Sequence, residues 1–80
     1  VKVDVLLFAS LKDELGPQVS VEIGEPATVA SLRAALAAAH PAVARFGDRA
    51  KAAVNETWAR ESDPVRPGDT VALLPPVAGG

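Results

Sequence analysis

Thr28-Val29-Ala30-Ser31-Leu32-Arg33-Ala34-Ala35-Leu36-Ala37-Ala38-Ala39-His40, closed by Pro41, is the stretch that decides the fold. Val29, Leu32, Leu36 and Ala39 recur at helical spacing and form one apolar stripe. The alanines have high helix propensity. Thr28 suits the N-cap, where its hydroxyl can accept from an otherwise orphan backbone N–H. Pro41 ends the helix, since the residue before a proline is pushed out of helical geometry. A further turn is expected from Pro41 to Gly47, with Val43 and Phe46 covering a flank of the core.

On either side of this helix the period changes from helical spacing to strict alternation. Val1-Lys2-Val3-Asp4-Val5-Leu6-Leu7-Phe8 reads as a strand. Val1, Val3, Val5 and Leu7 share one face; Lys2, Asp4, Leu6 and Phe8 share the other, which turns from polar to apolar along its length. Ser10 to Leu15 reads as a short helical turn closed by Gly16-Pro17. Gln18 to Ile23 alternates again, with Val19, Val21 and Ile23 inward, and is expected antiparallel to the first strand. Beyond the helix, Lys51 to Asn55 reads as a strand, Asn55-Glu56 as a turn, and Thr57 to Arg60 as a short returning strand carrying Trp58. Arg66-Pro67-Gly68-Asp69 has the residues of a type II turn, and Thr70 to Leu74 forms the last strand. A single long helix covers only one face of a sheet. The expected class is therefore α+β, a mixed sheet with one main helix on one face and the other face partly open.

Composition narrows the function. Eighty residues make one domain, expected over residues 1–80. Hydrophobic residues are 49% of the chain, enough for a packed core, but so short a chain has little room for a deep pocket of its own. The net charge is −2, the basic residues are scattered, and the aromatics are Phe8, Phe46 and Trp58 alone. That excludes the basic, stacking surface a nucleic-acid binder needs. No apolar run approaches a membrane span and no signal peptide is visible, so a cytoplasmic location is expected. Cysteine is absent, which excludes disulfides, zinc–thiolate sites and thiol nucleophiles. One histidine, His40, cannot build a transition-metal site; it is read as a last-turn residue facing the helix dipole. The carboxylate pairs Asp13/Glu14 and Glu61/Asp63 are read as solvated loop residues.

The chain ends in Pro75-Pro76-Val77-Ala78-Gly79-Gly80. The prolines stiffen the base of this tail and the glycines have no side chain to clash. Such a tail makes sense if the Gly80 carboxylate is the working group and Pro75, Pro76, Val77, Ala78 and Gly79 thread it through a narrow channel.

These segments resemble the ubiquitin-like β-grasp sulfur carriers of the MoaD/ThiS family, and more closely the MoaD type, the small subunit of molybdopterin synthase. The resemblance lies in Leu6-Leu7-Phe8-Ala9 with Leu11-Lys12 and Gly16 following, Val54-Asn55, Gly68-Asp69 before Val71, and above all Leu74-Pro75-Pro76-Val77-Ala78-Gly79-Gly80. It spans essentially the whole chain. It implies that the first and last strands are parallel neighbours, bringing Phe8 and Leu74 side by side at the root of the tail. It places Trp58 at a third apolar partner contact, and Lys12 where a basic residue could meet an acidic partner group. Leu74 departs from the aromatic often found there in relatives.

The implied chemistry is sulfur carriage for molybdenum cofactor synthesis. A separate activating enzyme uses ATP to adenylate Gly80, a sulfur donor displaces AMP, and the resulting thiocarboxylate delivers sulfur to a pterin precursor in the large subunit. The implied assembly is a heterotetramer of two small and two large subunits. No cofactor is expected to be bound stably, since no Gly-rich loop precedes Lys-Ser or Lys-Thr, and no metal is expected. Three alternatives remain open: a sulfur carrier for thiamine thiazole, disfavoured by Pro75-Pro76; a protein modifier joined through Gly80; and a binding module with an inert tail.

Overall fold

Alternation and helical spacing fold as they read. A computed structural model describes residues 1–76. In chain order the elements are β1 (Lys2–Leu7), α1 (Ala9–Leu15), β2 (Gln18–Glu22), α2 (Val29–Ala39), α3 (Pro41–Phe46), a 3-10 turn (Gly47–Arg49), β3 (Lys51–Val54), β4 (Thr57–Trp58) and β5 (Val71–Leu74). The strands form one sheet in the order β2-β1-β5-β3-β4. β1 and β5 are parallel, while β1–β2, β3–β5 and β3–β4 are antiparallel. This is the α+β, ubiquitin-like β-grasp architecture.

The inward face of β1, with Val3, Val5 and Leu7, meets Val71 and Leu73 of β5 and Ala52 of β3. Over them lie Val29, Leu32 and Leu36 of α2, Leu11 of α1 and Val43 of α3. Every one of these side chains is buried. Thr28 caps α2 as expected, and Ser31 completes the cap. The Ser31 N–H donates to Thr28 Oγ1 at 3.2 Å, and the Thr28 N–H donates to Ser31 Oγ at 2.8 Å. The reciprocal pair satisfies two backbone donors at the helix start. Asn55 and Glu56 both have positive φ, 51° and 67°, which makes the tight β3–β4 hairpin. Gly68, at φ 89°, supplies the left-handed position of the turn before β5.

Several expectations are corrected. Ala39 is exposed; the buried stripe is Val29, Leu32 and Leu36. His40 lies after the last turn of α2, as its C-cap and the N-cap of α3. The strand around Trp58 is two residues rather than four: its ladder pairs are Ala53–Trp58 and Val54–Thr57, and after the Ala59 N–H donates to the Ala52 carbonyl at 3.0 Å the pairing ends. Asp13 and Glu14 belong to α1, not a loop, and Glu14 Oε2 accepts from Arg45 Nη2 at 2.8 Å across to α3. Glu61 is not simply solvated. Its two oxygens accept from Arg33 Nε and Nη2, both at 3.0 Å, while Arg33 Nη1 donates to the carbonyls of Gly47 and Ala50. Arg33 thereby ties α2 to both ends of the segment that leads into β3.

Candidate functional site

The register places the outward side chains in rows. Gln18, Leu6, Ala72, Ala53 and Trp58 stand opposite one another across all five strands. One row toward the tail, Leu74 stands opposite Lys51, and Phe8 follows the Leu7–Leu73 pair on the β1 side. Toward the opposite end the face is polar, where Ser20 Oγ donates to Asp4 Oδ1 at 2.6 Å. The open face therefore grades from polar to apolar toward the point where the chain leaves β5. The alternation of β1 creates that gradient, since Lys2, Asp4, Leu6 and Phe8 all project the same way.

Phe8 and Trp58 are large hydrophobic residues left 44% and 64% exposed. Leu74 and Pro75 are half-buried and Pro76 is exposed. Phe8 sits just outside β1, as the N-cap of α1, and Ala9 after it has φ 51°. A non-glycine residue in that region is unusual; here it follows Phe8, whose own backbone is still extended, and turns the chain from β1 into α1. Trp58, Leu74, Pro75 and Pro76 line one groove of about 360 Å³, together with Arg49 and Lys51. Exposed apolar side chains gathered at one place and rimmed by charge are the signature of a binding surface. Lys12 is exposed on α1 and does not line the groove. Val77, Ala78, Gly79 and Gly80 lie outside the described residues.

Arg49 and Lys51 are groove residues that sequence reasoning missed. Arg49 Nε donates to the Phe46 carbonyl at 3.3 Å and Nη2 to the Arg45 carbonyl at 3.1 Å, with the guanidinium 6.0 Å from the Phe46 ring centroid. The Lys51 ammonium lies 6.0 Å from the Trp58 ring centroid. No local motif marks either residue; only the β3–β5 register brings them to the tail.

Behind the groove the β3–β4 hairpin is clipped to the start of β5. Asn55 Nδ2 donates to Asp69 Oδ1 at 3.0 Å, and the Thr70 N–H donates to Asn55 Oδ1 at 3.0 Å. The Arg66 N–H donates to Asp69 Oδ2 at 2.8 Å. That backbone donor, then the Asn55 amide, hold the Asp69 carboxyl below its usual value. The clip fixes the strand that ends in Leu74 and the tail. Among the described residues there is no cluster of three or more metal-ligating side chains, and no helix is long and apolar enough to cross a membrane.

The family model for ThiS matches residues 5–80. The chain belongs to the ThiS family. It is 33% identical over 82 residues to the molybdopterin synthase sulfur carrier subunit of Chlamydomonas reinhardtii, covering 99% of each chain. It is 35% identical over 80 residues to the protein of the same name from Escherichia coli (strain K12), covering 98% of this chain and 99% of that one. A crystal structure of small archaeal modifier protein 1 from Haloferax volcanii superposes with a TM-score of 0.82 at 34% identity, over 96% of this chain and 99% of the other. Fold and family thus agree with the resemblance carried by the sequence.

Proposed function

We propose that this ThiS-family chain is a sulfur carrier for molybdenum cofactor biosynthesis, working through the carboxyl of Gly80. The observation that carries the reading is its similarity, over nearly its whole length, to two proteins named molybdopterin synthase sulfur carrier subunit. The family match also runs through the Gly79-Gly80 ending.

An ionised carboxylate is a poor electrophile and must be activated. An adenylating enzyme joins Gly80 to AMP with release of pyrophosphate from ATP. A sulfur donor then displaces AMP and leaves a thiocarboxylate, the nucleophile for a pterin precursor. ATP is bound by the activating enzyme, and this chain holds no cofactor of its own. The large synthase subunit supplies acids, bases and oxyanion donors. This chain supplies the reacting group and the surface that docks it: Phe8, Trp58 and Leu74, with Lys12 at the side, and Pro75, Pro76, Val77 and Ala78 as the stiff lead-in to Gly79-Gly80. Docking turns sulfur delivery into an effectively intramolecular step. Two such pairs make the heterotetramer, in the cytoplasm where ATP is available.

The test is the intact mass of the protein after incubation with the activating enzyme, ATP and a sulfur donor. Replacement of one oxygen by sulfur at Gly80 is expected, and deletion of Gly80 should abolish it with the fold unchanged. An unaltered mass beside a working control carrier would refute the reading. A second reading, protein modification through Gly80, draws on the likeness to small archaeal modifier protein 1. It predicts conjugates between Gly80 and lysines of other proteins, visible by mass in cell extracts.

A further inference from the structure

We propose that Arg49 and Lys51 form a cationic clamp at the tail-root groove that receives a carboxylate of the docking partner, beside an apolar side chain seated against Trp58, Leu74, Pro75 and Pro76. The partner meant is the large synthase subunit, so the inference rests on the proposed function.

Both cations line the apolar groove, and both are oriented before any partner arrives. Two backbone carbonyls hold Arg49, leaving the Nη1 side of its fork unused by them. Lys51 lays its stem along the sheet opposite Leu74 and its ammonium over Trp58. The segment carrying Arg49 is anchored at both ends by Arg33, through the Gly47 and Ala50 carbonyls. Side chains fixed in advance lose less entropy on binding.

Two nearby cations of the fold are already paired. Arg33 pairs with Glu61 and Arg45 with Glu14. Among the described side chains, which do not include that of Asp48, no carboxylate pairs with Arg49 or Lys51. The chain carries a net charge of −2, so two cations gathered on its apolar patch oppose its overall sign. A single carboxylate fits the open fork of an arginine. A nucleic-acid backbone does not fit, because it needs a long array of cations and the groove offers two among apolar walls.

The test measures binding to the large synthase subunit of the same organism by calorimetry at low and high salt. It compares the wild type, the Arg49→Glu/Lys51→Glu double variant and Lys51→Gln, each checked for an unchanged amide NMR spectrum. Lys51→Gln, which keeps the stem, covers a double variant that fails to fold. Charge reversal should weaken binding about tenfold at low salt and neutralisation about threefold, with the differences narrowing as salt screens them. Wild-type binding with less than about a twofold change on reversal and an unaltered salt slope would overturn the clamp and leave the proposed function standing. Failure of the wild type to bind, with carrier chemistry intact in the mass assay, would remove the partner and the clamp together. Parallel titrations use phosphatidylserine vesicles and a single-stranded oligonucleotide. Loss of binding only to these on charge reversal would assign the cations to phosphate and refute the carboxylate.

Discussion

Trp58→Ala should damage docking far more than folding. The indole is 64% exposed, and a tryptophan presents roughly 250 Å² in all. About 160 Å² is therefore open to a partner. At about 25 cal/mol per Å², covering it completely would stabilise a complex by about 4 kcal/mol. An open groove on a sheet edge is covered only in part, so about half of that, about 2 kcal/mol, is the expected loss. It corresponds to a roughly 30-fold weaker Kd. The remaining third of the side-chain surface is packed on the sheet. Its loss costs at most about 2 kcal/mol of stability, an upper bound because the unfolded chain is not fully extended. Trp58 is the single tryptophan of a chain without tyrosine, so its own spectrum reports the event. Protein labelled with 5-fluorotryptophan should give one fluorine resonance that moves on saturation with the large subunit. Calorimetry on Trp58→Ala gives the affinity change. A resonance that stays put while the complex forms, or a loss below about threefold, would show that Trp58 lies outside the interface.

Leu36 of α2 is completely buried among the sheet residues, so Leu36→Ala should cost about 2–5 kcal/mol, read from the urea midpoint. A loss under about 1 kcal/mol would mean that α2 is not the lid of the core. Asp69 sets a pH dependence. Its carboxyl is held below the usual value by the Arg66 N–H and the Asn55 amide, so the unfolded chain takes up that proton more readily than the folded one. Its stabilising contribution is complete above the ordinary carboxylate pKa and is lost as pH falls through the lowered value. Asp69→Asn should therefore be less stable than wild type at neutral pH, with the gap closing under acid. Parallel melting curves down the acid range would refute this.

Backbone architecture was legible because it rests on local patterns. The stripe Val29, Leu32 and Leu36 and the alternation of β1 require only a reading of period, and both pack as written. Elements failed at their ends, where tertiary partners decide. β4 shrank to the two ladder pairs that β3 makes with it, and Ala39 stayed exposed although Leu36, in the same last turn of α2, is fully buried. Phe8 extends the pattern one residue past β1: its own backbone is still extended, so alternation keeps it on the open face, and the chain turns only after it, at the positive φ of Ala9.

The charged parts of the site were not legible. Glu61 looked like a loop carboxylate because its partner, Arg33, is 28 residues away in sequence. Arg49 and Lys51 looked scattered because the strand that brings them to the tail, β5, begins twenty residues after Lys51. Yet these long-range links bear most directly on how the tail is presented. A carrier whose reacting group sits at the end of six terminal residues gains precision only if the base of that tail is fixed. Leu74 is fixed by pairing with Lys51 of β3, next to Leu73, which is paired on both sides, to β1 and β3, and by the Asn55–Asp69 clip behind it. Arg33 fixes the neighbouring wall. Under the proposed function, the rigid sheet sets where the tail starts, the prolines set its first direction, and the apolar patch beside it marks where a partner's channel would begin.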